Sequence, residues 1–221
     1  MLNTHNAIPY YVQAESRAGG KLGSGPLTQV TFWRQTYSMD RAGTFEMMIP
    51  ATDTQASILT ENIILRCYGA TGRGQDISTG LGDNFGYYQE IGSGIVKDIK
   101  RIVTTQGVMI RCSGFDLMAE LGDRSVQFLA LGSSGSVPHN DAVNAVATYA
   151  PSGWTITPDP APPFSDIIYR FAGESTLQAL IILAQYFRSH LYLSGDRQIT
   201  FKSTFTDSGV VATNAPVQRF D

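Results

Sequence analysis

The chain has 221 residues, 43% of them hydrophobic and only 16% charged, with 16 Lys and Arg against 19 Asp and Glu and a formal charge of −3. That length can bury one large core or two small ones, and a charged fraction below the roughly 25% of an ordinary soluble domain leaves a neutral surface suited to subunit contacts. Without a dense Lys/Arg patch, a tight grip on nucleic-acid phosphate is not expected.

The opening MLNTHNAIPYYVQ has no basic stretch followed by an apolar core, so no signal peptide is expected. No apolar run reaches the roughly 18 residues of a membrane span. The longest candidate, Leu177 to Ala184, is short and interrupted by Gln178. A soluble protein made in a reducing cytoplasm is the expectation. Gln29 to Gln35 and Thr44 to Ile49 read as paired strands linked by Ser38 to Gly43, with Phe45, Met47 and Ile49 on one face and Pro50 as the stop. Asp53 to Leu59 suggests one helical turn, and Ile63 to Tyr68 a third strand. Residues 69–89 hold six glycines and read as a long loop or hairpin tip. Phe85, Tyr87 and Tyr88 cluster at its carboxyl end and are the candidate inter-subunit contact, since aromatics are enriched in protein interfaces.

Residues 90–124 predict a β-hairpin running into a short helix. Ile95 to Val103 and Val108 to Cys112 are β-branched and apolar, separated by a turn that ends in Gly107. The second strand alternates, with Val108, Ile110 and Cys112 on one side and Met109 and Arg111 on the other. The first alternates poorly, because Ile95, Lys97, Ile99 and Arg101 would share a side; a bulge or cover on both faces would account for that. Phe115, Met118 and Leu121 then recur at helical spacing before Gly122. Cys67 and Cys112 fall inside expected strands, lack metal-site spacing, and read as buried free thiols.

Beyond Arg124, residues 132–137 (GSSGSV) read as a linker. Asn140 is placed as the cap of a helix over Asp141 to Ala150, with Val143, Val146, Ala147 and Ala150 as its stripe and Pro151 as its end. Residues 158–163 (PDPAPP) suit an extended polyproline connection. Ser175 and Gln178 form a capping box for the longest helix, Thr176 to about Ser189, with Leu177, Leu180, Ile181, Ala184 and Phe187 facing the core and Ile182, Leu183 and Tyr186 widening the apolar surface. A tight hairpin follows, in which Leu191 and Leu193 alternate before the turn Ser194 to Arg197 and Ile199 and Phe201 after it.

No catalytic signature emerges. Gly20 and Lys21 lack the preceding glycine and following hydroxyl of a phosphate loop, and Gly72 and Gly74 have Ile77 where a dinucleotide fingerprint needs glycine. The serines at 133–136 do not match a nucleophile elbow. His5, His139 and His190 are too scattered for a metal triad; His139 reads as a surface or capping residue and His190 as a partly packed edge residue. Glu46, Asp53, Glu61, Asp98, Asp116 and Glu120 have ordinary strand-face or helix-face explanations. Trp33, Tyr87, Tyr88 and Trp154 suit core or interface use better than a sugar platform. The expectation is a non-enzyme without cofactor or metal.

Five motifs occur in an order that resembles the amino-terminal region of bacteriophage tail hub (baseplate hub or tail-associated) proteins: GTFEMMIP, DTQASILTENIILRCYG, EIGSGIVKDI, SGFDLMAELGDRSV, and FAGESTLQALIILAQYF followed by LYLSGDRQITF. The resemblance covers roughly residues 28–203 and implies an α+β chain: a tube-like β-sandwich or split-barrel domain at 1–125, a smaller α/β insertion domain at 126–203, and a second β domain opening, or a carboxyl-terminal extension, at 204–221. It further implies a virion structural protein at the distal end of the tail tube. There a homotrimer would form a ring that connects the tube to the tail tip and lines the DNA channel. The implied partners are further copies of the chain, distal tail and tail-tip proteins and the tape-measure protein. The same architecture would serve a contractile injection system or gene-transfer particle. A carbohydrate-binding or peptidoglycan-cleaving module would differ from a hub by a cleft with converging carboxylates.

Overall fold

The computed structural model describes residues 10–70, 88–105, 107–132, 135–160, 162 and 166–203. The chain divides into two compact units, Met1–Gln35 with Thr44–Asp116, and Thr36–Gly43 with Leu117–Asp221. The regular structure is mostly β.

The first unit is built on an open six-stranded sheet of order β1-β4-β5-β6-β3-β2, from β1 (Tyr10–Glu15), β2 (Phe32–Thr36), β3 (Thr44–Pro50), β4 (Ile64–Ala70), β5 (Tyr88–Thr104) and β6 (Gly107–Phe115). Phe45, Met47 and Ile49 are buried while their neighbours along β3 are not, as the alternation requires. They meet Ile110 and Cys112 of β6 and Leu65 and Cys67 of β4 in one apolar cluster. The stretch expected as a strand from Gln29 forms one only from Phe32, and the turn expected over Asp53 to Leu59 narrows to a 3-10 segment, Ala56–Ile58.

The 17-residue β5 organises the sheet: its first half pairs with β4 and its second half with β6. The irregular apolar pattern of this strand is a bulge. Val96 pairs with Gly114 and Asp98 with Ser113, so Lys97 is the extra residue. Lys97 turns outward while Ile95 and Val96 on its amino side are both fully buried. The hairpin to β6 closes at the pair Thr104–Gly107, where Gly107 adopts φ 112°. Ala70 pairs with Tyr88, so β4 and β5 are the arms flanking residues 71–87, which lie outside the described residues together with the loop expected there.

The sheet's two edges differ. The outer side of β1 is taken by the chain itself, with Val12 and Leu27 exchanging backbone hydrogen bonds of 3.1 and 2.7 Å. At the other end, Gln35 Nε2 donates to the Ser93 carbonyl of β5 at 2.9 Å, and Trp33 stacks on Phe45 with ring centroids 5.3 Å apart. The sheet therefore bends far enough for β2 side chains to reach β5. The sequence reading did not assign β1: Val12 and Ala14 alternate with Gln13 and Glu15 over only a few residues, and the structure buries both faces.

The second unit contains a 3-10 helix (Leu117–Asp123), β7 (Leu129–Leu131), β8 (Val137–Pro138), α1 (His139–Ala147), β9 (Thr155–Thr157), β10 (Asp166–Ile167), β11 (Tyr169–Phe171), α2 (Thr176–Phe187), β12 (His190–Gly195) and β13 (Gln198–Lys202). β7 pairs with β11 and β8 with β10, while β9 runs parallel to β13 and makes the β12–β13 hairpin a three-stranded sheet. These two- and three-residue strands flank the stretches expected as linker (132–137) and polyproline connection (158–163), with only Val137 inside them, and they are too short to show a period. Both helices pack into a core that includes Val143, Phe171, Leu183, Phe187 and Phe201.

The capping of α2 follows its sequence signature: Ser175 Oγ accepts from the Gln178 amide at 3.1 Å, and Arg188 ends the helix in left-handed geometry at φ 53°. Its buried stripe is Ala179, Leu180, Leu183, Ala184 and Phe187, with Leu177 and Ile181 only partly covered, so the helix is rotated from the expected face. Ser175→Ala should cost about 1 kcal/mol and Ser175→Gly only a few tenths, measured as denaturation midpoints; equal losses would locate the effect away from the cap. For α1 the expected cap is corrected. Pro138 occupies that position, and Asn140 lies inside the first turn, because a proline at φ −58° sets the entry of the chain.

Candidate functional site

The polar groups of the first unit meet across β1, β4 and β5. Arg66 on β4 is nearly buried; its Nε donates to Glu15 at 2.8 Å and its Nη1 to Glu90 at 2.9 Å. Glu15 pairs opposite Ile64 and Glu90 opposite Tyr68, two residues to either side of Arg66, so the register sets this diagonal cluster. Tyr11 and Tyr68 stack beside it at 5.2 Å. Burial, with Glu90's charge second, raises the Tyr68 hydroxyl above its ordinary pKa. A guanidinium held between two carboxylates is a structural tie.

The second unit has a comparable tie. Glu120 is 3% exposed and takes a two-pronged contact from Arg197, Nε at 2.8 Å and Nη2 at 3.0 Å, with the Trp154 indole N–H donating to it at 3.0 Å. Trp154 thereby joins a polar anchor. Glu46 pairs with Arg111 and Asp98 with Lys100, each at 2.8 Å, and Asp53 accepts the Gln55 amide at 2.7 Å, so these carboxylates have structural partners.

One of the two described histidines sits otherwise than its neighbours in sequence suggest. His139 is not a surface residue: it is 3% exposed and lies edge-on to Phe187 and Phe201. Near it, Ser189 Oγ donates to the buried Asp159 at 3.3 Å. Serine bonds directly to aspartate there, which differs from a nucleophile relay, where histidine stands between the two. His190 has its Nδ1 3.0 Å from Asp40, a partner 150 positions away and so invisible to sequence reading. Asp40, at φ 57°, also accepts the Leu191 amide at 2.7 Å, which makes its carboxylate the anchor of residues 36–43 within the second unit.

Cys67 and Cys112 are buried and free, as expected. Burial raises both thiols, Cys112 up to about 12 and Cys67 further, so neither supplies a thiolate near neutral pH. Among the described residues no cluster of His, Cys, Asp and Glu could hold a metal ion, and no helix is long and apolar enough to cross a membrane. Of the candidate contact residues, Phe85 and Tyr87 lie outside the described residues, and Tyr88 opens β5 opposite Ala70.

The surface carries uncovered apolar side chains in both units. Val103 and Val108 face one another across the β5–β6 hairpin, 85% and 48% exposed, on the side that carries Ile110 and Cys112 into the core. The apolar face of this hairpin thus runs past the core that covers it. In the second unit, Phe128 and Ile168 are 60% and 65% exposed, and Arg170 stacks 5.5 Å above the Phe128 ring. Alternation could not flag Val103 and Val108, since it shows which residues share a face and not where cover stops.

No protein-family profile and no curated protein sequence matches the chain. Solved structures do. Prophage tail protein gp18 from Listeria monocytogenes superposes with a TM-score of 0.59 at 12% identity, covering 87% of this chain and 50% of that one. A tail protein from Neisseria meningitidis gives a TM-score of 0.55 at 16% identity, again covering 87% of this chain and 50% of that one. At these identities the likeness is one of fold: the chain has the fold of one half of these tail proteins and spans about half their length.

Proposed function

We propose that this chain is a structural component of a phage tail, the hub at the distal end of the tail tube. The observation that carries the reading is the fold shared with two tail proteins over 87% of the chain. In this reading the first unit is the tube-like β domain and the second the inserted α/β domain. Three copies form a ring that joins the tube to the tail tip and lines the DNA channel, in the virion, after synthesis in the bacterial host cytoplasm. The partners are further copies of the chain, distal tail and tail-tip proteins and the tape-measure protein. No catalysis or cofactor is involved, and DNA passes without sequence-specific contact.

Low surface charge and the uncovered Val103–Val108 pair suit contacts between copies. Sedimentation of the chain should give three times the monomer mass, and Val103→Lys with Val108→Glu should shift it to a folded monomer, because both side chains are exposed on the single chain and opposite charges across the pair do not repel. A solitary monomer at every working concentration counts against the ring, and an unshifted trimer in the double variant moves the contact off this hairpin.

A further inference from the structure

Among the described residues of the second unit, His139 is a buried titratable group whose ring nitrogen Nε2 has no partner. His139 opens α1, with its ring 4.4 Å from Phe187 of α2 and 5.8 Å from Phe201 of β13, at interplanar angles of 88° and 82°. Its Nδ1 lies 3.2 Å from Asn140 Oδ1, which assigns the neutral ring's proton to Nδ1. Its Nε2 is buried and has no hydrogen-bond partner.

We propose that His139 makes the second unit acid-labile: a proton taken up at Nε2 drives the ring out from between Phe187 and Phe201 and frees the first turn of α1 from α2 and β13. An imidazolium carries two N–H donors, and the second would point into an apolar pocket where an unpaired charged donor is costly. The amino-terminal end of a helix adds a positive partial charge that also opposes the cation. α2 and β13 turn phenyl rings toward the imidazole. The charged group that acts on it is Asp159, itself 4% exposed and occupied by the Ser189 hydroxyl. Asp141, two residues on in α1, and Asp166, paired opposite Pro138, are exposed.

Burial lowers the His139 pKa, and the Asn140 contact and the Asp159 charge offset only part of that. The unfolded ring titrates near its ordinary value, about 6.5. The folded pKa lies lower, so the unfolded chain binds more protons in that window. The stability contributed by the neutral ring is therefore complete above about pH 6.5 and is lost as pH falls below it. At pH 5.5 the loss reaches at most about tenfold in the opening equilibrium, the limit set by the unfolded ring.

Amide hydrogen exchange of the full chain at pH 7.5 and 5.5, corrected for intrinsic rates, tests this independently of the tail assignment. Protection over α1, α2 and β13 should fall by up to about tenfold at pH 5.5, with the β3–β6 strands of the first unit unaffected. His139→Phe and His139→Leu should remove that loss, and His190→Ala should keep it. The proposal is overturned by an equal acid loss in both His139 variants, by no loss in the wild type, or by a loss that His190→Ala abolishes. Should neither His139 variant fold, an NMR titration of the wild-type ring decides: a midpoint at or above about 6.5 also overturns it.

Discussion

Leu180→Asp is expected to unfold the second unit. The side chain is fully buried, one turn from Ala184 and Leu183, in the core shared by α1, α2 and the β12–β13 hairpin. Removing the leucine alone costs about 2–5 kcal/mol. A carboxylate left there without a partner adds its desolvation cost, which brings the total to about 5 kcal/mol or more, comparable with the whole stability of a small domain. The two tryptophans, Trp33 and Trp154, fall one in each unit. In a Trp33→Phe background, Trp154 fluorescence should therefore lose its cooperative melting when Leu180→Asp is added. The exposed Gln185→Ala should shift stability by less than about 0.5 kcal/mol. A soluble Leu180→Asp protein with an unchanged transition would mean that α2 does not pack by this face.

Gly114→Val is expected to have the corresponding effect on the first unit. A β-carbon at Gly114 would overlap the Ile95 carbonyl oxygen and press on the Phe45 ring. Ile95 cannot retreat: it is paired with Ile64 on one side and Phe115 on the other, immediately before the bulge at Lys97. The obstacle is backbone and not a flexible side chain, so the cost should be about 3 kcal/mol or more. Trp33 fluorescence in a Trp154→Phe background should report it as a lowered midpoint. Gly25→Ala, which lies in the same unit and meets nothing within 4 Å at ordinary φ, is the control and should be neutral or slightly stabilising. Equal effects from the two substitutions would remove steric crowding as the explanation.

Local order was legible wherever a residue's role depends on near neighbours. The Phe45, Met47, Ile49 alternation, the Ser175 cap of α2 and the turn at Gly107 were readable because a strand's period, a capping hydroxyl and a turn glycine act within a few residues. The irregularity of β5 was visible as irregularity, and the pairing of Val96 with Gly114 and Asp98 with Ser113 then decided that it is a bulge. Aromatic clustering alone marks the candidate contact residues Phe85, Tyr87 and Tyr88, and of these only Tyr88 has a described backbone position.

By itself the sequence determined the strand-rich first part, the helix and hairpin of the second, the two buried thiols and the lack of any recognisable catalytic motif. Tertiary structure alone decided what depends on residues far apart in the chain. It buried His139 against Phe187 and Phe201, tied Arg66 to Glu15 and Glu90, joined His190 to Asp40, and drew residues 36–43 into the second unit. It also set where cover ends, leaving Val103 and Val108 exposed on a face that is core two residues further along. Period and propensity are properties of a segment, whereas burial and partnership depend on what other segments bring to it, and no local pattern encodes that.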